Sequence, residues 1–126
     1  MKHFILLLFA FVLMFSACKK DDTTNSNSSR VLKYGISGNY SGSLVVSYTT
    51  ASGSTANETI TVLPWNKEVT YASNVTAAII AISGNGGTAG QQVTVVVKRG
   101  ANQVSSTTAT ANSSGSFTQA APVVTF

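Results

Sequence analysis

The stretch Val93-Thr94-Val95-Val96-Val97-Lys98-Arg99-Gly100-Ala101-Asn102-Gln103-Val104 decides the fold. Val93, Val95 and Val97 recur at every second position, the period of a strand with one face in a core, and β-branched residues pack well on a pleated surface. Lys98-Arg99-Gly100-Ala101-Asn102 reads as a charged hairpin turn into Val104 and the Ser/Thr-rich strand that follows. The same period appears on both sides of this hairpin. Upstream, Leu32, Tyr34 and Ile36 share one face, and Leu44, Val46 and Tyr48 share the next, after the turn-rich Ser37-Gly38-Asn39-Tyr40-Ser41-Gly42. Ile60 and Val62 continue the pattern until Pro64, which has no amide to give to a ladder. Val69 and Tyr71 mark a short strand. Val75 to Ile82 is apolar on both parities, as in a central strand covered on both faces or in a buried helical turn, which period alone does not separate. Phe117 and Val123-Val124-Thr125-Phe126 close the chain after Ser113-Ser114-Gly115. About seven short strands with regularly spaced turns predict an all-β fold, an immunoglobulin-like antiparallel β-sandwich.

The front of the chain has another character. Lys2 and His3 precede an apolar run from Phe4 to Phe15 that ends on Ser16-Ala17-Cys18, the layout of a secretory signal. The run is shorter than the roughly 20 residues that cross a bilayer and stops at Lys19-Lys20-Asp21-Asp22. Phe15-Ser16-Ala17-Cys18 resembles a bacterial lipobox, with Phe where Leu is usual, so residues 1–17 are expected to be a lipoprotein signal peptide and Cys18 the lipidated residue. Cys18 is the single cysteine of the 126-residue chain and has no intrachain disulfide partner. Multiple acylation there would anchor the protein without a helix. Lys20, Asp21 and Asp22 resemble the export signal that sends lipoproteins of Bacteroidota to the outer face of the outer membrane. Asp22-Thr23-Thr24 resembles the O-glycosylation acceptor of the same bacteria, with Thr23 the candidate. From Thr23 to Ser29 the chain is Thr, Asn and Ser only, so residues 18–29 read as a flexible tether, about 20 Å in reach, and residues 30–126 as one domain.

Composition excludes several functions. The formal charge is +4, but it reflects scarce acids. Within residues 30–126 the adjacent bases are Lys98-Arg99, too small a cluster for a nucleic-acid surface. The one histidine, His3, lies in the signal. No aspartate follows Asp22, and the domain's side-chain carboxylates are Glu58 and Glu68, in or beside predicted strands where edge protection is their ordinary role. Neither a nucleophile with its base nor a set of metal ligands can be assembled, so no catalytic residue, metal or cofactor is expected and the protein reads as a non-enzyme. Gly84-Asn85-Gly86-Gly87-Thr88-Ala89 has the letters of a dinucleotide loop, yet it leads into a strand and no acid follows it, so a flexible hairpin loop is expected. Trp65, Tyr34, Tyr48 and Tyr71 read as packing residues, and Tyr40, in a loop, as the candidate contact residue.

Leu32-x-Tyr34-x-Ile36-x-Gly38, Leu44-Val45-Val46-Ser47-Tyr48-Thr49, Gly53 and, most specifically, Leu63-Pro64-Trp65-Asn66-Lys67 resemble the MmpS family of small mycobacterial membrane proteins over most of the domain. The resemblance implies an immunoglobulin-like sandwich with Leu63-Pro64-Trp65 as a structural motif, and a role as accessory to large envelope exporters of lipids or siderophores. Members of that family commonly pair two cysteines, near Thr94 and the last strand, and both are absent here. Two functions follow as expectations: an envelope lipoprotein serving as accessory or binding module beside a transporter, or a structural or adhesive surface module that binds glycan, protein or its own copies.

Overall fold

The computed structural model describes residues 29–126, and every regular element among them is a strand. In chain order these are β1 (Val31–Gly38), β2 (Ser43–Thr49), β3 (Thr55–Ile60), β4 (Trp65–Thr70), β5 (Ala77–Ala78), β6 (Ile80–Asn85), β7 (Gln92–Arg99), β8 (Asn102–Thr110), β9 (Phe117–Ala120) and β10 (Val124–Thr125). One sheet has the order β4-β1-β7-β8 and the other β3-β2-β6-β9, with every pairing antiparallel, while β5 and β10 form a two-stranded clip. The antiparallel sandwich is therefore the observed architecture. Ten strands stand where about seven are expected from turn spacing, because two-residue elements such as β5 and β10 have no period to read.

The alternating residues meet in the core between the sheets. Leu32, Ile36, Val46, Ile80, Ile82, Val93, Val95 and Val97 are all but fully buried, and the hydroxyl-bearing rings of Tyr34, Tyr48 and Tyr71 lie among them. Burying such side chains contributes on the order of 1.5–3 kcal/mol each, which offsets the entropy of ordering the strands. The apolar run at Val75 to Ile82 is covered on one face only. Val75, Ala78, Ile80 and Ile82 point inward, whereas Ile79 is 43% exposed. The run is apolar on both parities because its outward positions carry Ile79, Ala77 and Ala81.

The two halves of the domain repeat one another. Ile36-Ser37-Gly38-Asn39 at the end of β1 recurs as Ile82-Ser83-Gly84-Asn85 at the end of β6. Replacing β1-β2-β3-β4 by β6-β7-β8-β9 turns the order of one sheet into that of the other. The registers agree: Tyr34 opposite Val97 corresponds to Ile80 opposite Tyr48, and Ile36 opposite Val95 to Ile82 opposite Val46. Likewise Leu44 opposite Ile60 corresponds to Val93 opposite Ala109. Each half sends its first strand to one sheet and the hairpin that follows to the other, so neither closes a core without its counterpart.

Polar bonds tie the sheets together. The Tyr71 hydroxyl donates to Thr49 O at 2.8 Å, so Tyr34 supplies the proton of the 2.6 Å bond between the two hydroxyls. This relay runs from β1 in one sheet to the end of β2 in the other. Burial pushes both phenols up, Tyr34 far above its ordinary range, and its hydrogen bond to Tyr71 adds to the shift.

Candidate functional site

The loops that follow β1 and β6 bring the chain from one sheet to the other. Gly84-Asn85-Gly86-Gly87-Thr88-Ala89 is thus an arch between β6 and β7, not a hairpin. It also makes room for Tyr40. That residue does lie outside the strands, but it is 7% exposed: it is a core plug and not the contact residue expected from its place in a loop. Its hydroxyl donates to Gly115 O at 2.6 Å and accepts from the Gly87 amide at 3.2 Å, and its ring meets Phe117 edge to face at 5.0 Å between centroids. The hollow depends on missing side chains. A Cβ on Gly87 would lie 2.3 Å from Tyr40 Cε2, and one on Gly84 2.4 Å from Phe117 Cε1. These glycines lie far from Tyr40 in sequence, and so no local pattern announces its burial.

Leu63-Pro64-Trp65 forms the passage between the sheets on the other side. The Leu63-Pro64 peptide is cis, and β4 starts at Trp65, half-buried against the core with its ring 6.2 Å from that of Tyr48. Beside it, Glu58 of β3 accepts from Tyr48 Oη at 2.5 Å and from Lys67 Nζ at 2.8 Å. The Lys67 ammonium also stands 5.4 Å from the centre of the Tyr48 ring. The hydrogen bond from Lys67, with that from Tyr48, holds the Glu58 carboxyl below the usual carboxylate range, and Glu58 in turn raises Lys67. The ion pair is too exposed to contribute more than about 1 kcal/mol. It joins edge strands of opposite sheets and closes that flank of the sandwich. Glu68 lies on the outer face, 3.6 Å from Lys33, with both side chains more than half exposed. The two carboxylates thus face different partners, and among the described residues no three His, Cys, Asp or Glu side chains come together.

What the outer face of the β4-β1-β7-β8 sheet does offer is an open groove of about 520 Å³. Its floor is Gly35, between Asn66 of β4 and Val96 of β7. Across the sheet runs the row Glu68, Lys33, Lys98, Gln103, each directly opposite the next. Lys33 and Lys98 are thus like charges on facing positions of adjacent strands; Glu68 compensates Lys33 from the other side, which leaves Lys98 as the uncompensated charge of the row. No family model matches the chain, and neither a curated protein nor a solved structure does.

One pole of the domain is built from residues that the strand pattern does not single out. Arg99, read as part of a charged hairpin turn, is the last residue of β7 and only 9% exposed. It donates to Ser29 O at 2.8 Å and Thr125 O at 3.0 Å, which satisfies the buried guanidinium without an acid. Arg30 donates to Tyr71 O at 3.1 Å, Ala72 O at 2.6 Å and Val75 O. The Phe126 ring sits between them, 4.5 Å from the Arg30 guanidinium carbon and 5.1 Å from that of Arg99. Ser29, the first of the described residues, is therefore fixed beside the β7–β8 hairpin. Cys18, Lys20, Asp21, Asp22 and Thr23 lie outside the described residues, as does the signal peptide. Among the described residues no helix is long and apolar enough to cross a membrane.

Proposed function

We propose that this chain is a non-enzymatic lipoprotein of the cell envelope, anchored to the outer membrane through lipid at Cys18 and surface-exposed through Lys20-Asp21-Asp22, which acts as a binding or accessory module. Its ligand is an anionic group, held in the Gly35 groove. The carrying observation is the row Glu68, Lys33, Lys98 beside a floor with no side chain: Glu68 compensates Lys33, and Lys98, facing Lys33, is left to take a carboxylate or phosphate. Phospholipid headgroups and carboxylate-bearing siderophores both have that chemistry, in keeping with the accessory role in lipid or siderophore transport that the MmpS resemblance implies. A transporter of the envelope is the partner on this reading.

The test uses the full chain. Gly35→Leu puts a side chain on the floor, where its Cβ meets nothing closer than Asn66 Oδ1 at 3.4 Å. Binding to vesicles of anionic phospholipid, beside neutral vesicles as control, and crosslinking in intact cells are measured for wild type, Gly35→Leu and Lys33→Gln/Lys98→Gln. Loss of anionic binding or of a crosslinked transporter in both variants, with thermal stability kept, supports the reading. Binding that is unchanged in both variants rejects the groove, and membrane association that survives Cys18→Ala rejects the anchor. The second reading, an adhesive surface module, draws on the bare edge of β8.

A further inference from the structure

A sandwich of two four-stranded sheets has four edges, and three of them are guarded. β3 and β4 carry Glu58, Lys67 and Glu68, and the ion pair between Glu58 and Lys67 ties one edge to the other. β9 is only four residues long and is followed by Pro122. β8 differs. It runs for nine residues, Asn102–Thr110, without a charge or a proline, and pairs with β7 alone; the ladder slips at Val104, near its start, and is regular from Ser105 to Thr110. Regular, uncharged edges are what natural sheets avoid unless something pairs with them.

The direction of the free backbone groups follows from the ladder. Ala111 donates to Gln91 O at 2.8 Å and accepts from the Gly90 amide at 3.0 Å, so its peptide groups face the β7 side. Amides of an antiparallel strand alternate, which turns Ala109, Thr107 and Ser105 toward β7 and Thr110, Thr108 and Ser106 away from it. Those last three residues are exposed. They form a row of unpaired donors and acceptors along the edge.

From this we infer that β8 pairs with β8 of a second copy of this chain, antiparallel about a two-fold axis near Thr108. That axis sets Thr108 against Thr108 and Ser106 against Thr110, so the free amides of each strand meet those of the other. Charge and shape favour a copy over a foreign strand. The hollow where Val104 and Ser105 meet Pro122–Thr125 lies at the start of β8, outside the paired stretch Ser106–Thr110, and every cross-strand pair in that stretch is neutral: Ser106 against Thr110, Thr107 against Ala109 and Thr108 against Thr108. The Thr94–Thr108 hydroxyl bond at 2.9 Å shows such a pair engaged across the neighbouring ladder on the same face. The contact is isologous, so it closes at two copies and leaves only the guarded β4 edges at the ends of a continuous eight-stranded sheet. Both Gly35 grooves then open on one face. The inference is independent of what fills them.

The experiment uses the full-length chain in membranes. Thr108→Cys is oxidised with copper phenanthroline, with Thr59→Cys, on the exposed face of β3, as the control for random encounter. A disulfide-linked homodimer at Thr108→Cys and not at Thr59→Cys is the expected result. Thr108→Lys, which sets two ammonium groups against each other across the axis, weakens association of differently tagged copies about tenfold while the melting temperature holds. Equal crosslinking at both cysteines, a Thr108→Cys crosslink to another protein, or self-association unaltered by Thr108→Lys overturns the inference.

Discussion

Gly87→Ala tests the reading of Tyr40 as a plug. The added Cβ would stand 2.3, 2.6 and 2.9 Å from Cε2, Cζ and Cδ2 of Tyr40, so its three closest contacts belong to one ring. That ring is pinned by its bond to Gly115 O and by Phe117, and cannot swing aside without losing both. Overpacking of this kind costs about 1–3 kcal/mol. Tyr40→Ala alone removes a buried aromatic and two hydrogen bonds and costs about 3–5 kcal/mol. In the double variant the clash has no target, so the cost should not exceed that of Tyr40→Ala, which gives a coupling of about 1–3 kcal/mol. Urea denaturation followed by tryptophan fluorescence measures all four proteins, with the slope compared so that only stability is read from the midpoint. Costs that add to within about 0.5 kcal/mol would refute the packing argument. A Tyr40→Ala cost under about 0.5 kcal/mol would return Tyr40 to the surface.

Two further outcomes follow from the same structure. Tyr34 and Tyr71 have folded-state pKa values raised by burial, so the stability they contribute is intact below the ordinary phenol pKa of about 10 and is lost as pH rises toward their folded values. Alkaline titration at the tyrosinate absorbance should show a late component that appears together with unfolding and shrinks in Tyr34→Phe; ionisation of that component in the folded protein near pH 10 would contradict the buried relay. Phe126→Ala removes a half-buried ring and two cation–π contacts, a loss of about 2 kcal/mol, and should lower the melting temperature by roughly 10 °C; a change of less than about 2 °C would show that the Arg30 and Arg99 cradle holds without it.

Much of the sandwich is legible because burial obeys the period: Leu32, Tyr34 and Ile36, or Val93, Val95 and Val97, are buried as their spacing demands. The places where the reading departs from the fold involve distance along the chain. Tyr40 is buried by glycines of the β6–β7 arch and by Gly115, and Arg99 by carbonyls of Ser29 and Thr125, none of which is a local neighbour. Ile79 misled in the other direction, as an outward residue that happens to be apolar. The repeat of Ile-Ser-Gly-Asn is visible once the sheets show which strands correspond. The groove was hidden for a similar reason. Lys33 and Lys98 become neighbours only through the β1–β7 register, and a lone glycine in a strand pattern does not by itself mark a floor.

The position of Ser29 has a mechanical consequence. On the proposed reading of residues 18–29 as a tether, a load on them enters the domain at β1, which is hydrogen-bonded along both sides, from Val31 opposite Thr70 to Ile36 opposite Trp65 and from Leu32 opposite Arg99 to Gly38 opposite Val93. Pulling along that strand shears two ladders at once, so their bonds resist together, whereas a tether on an edge strand would let them open one after another like a zip. A ligand gripped on the same sheet would therefore be held against flow through a strand whose two ladders share the load.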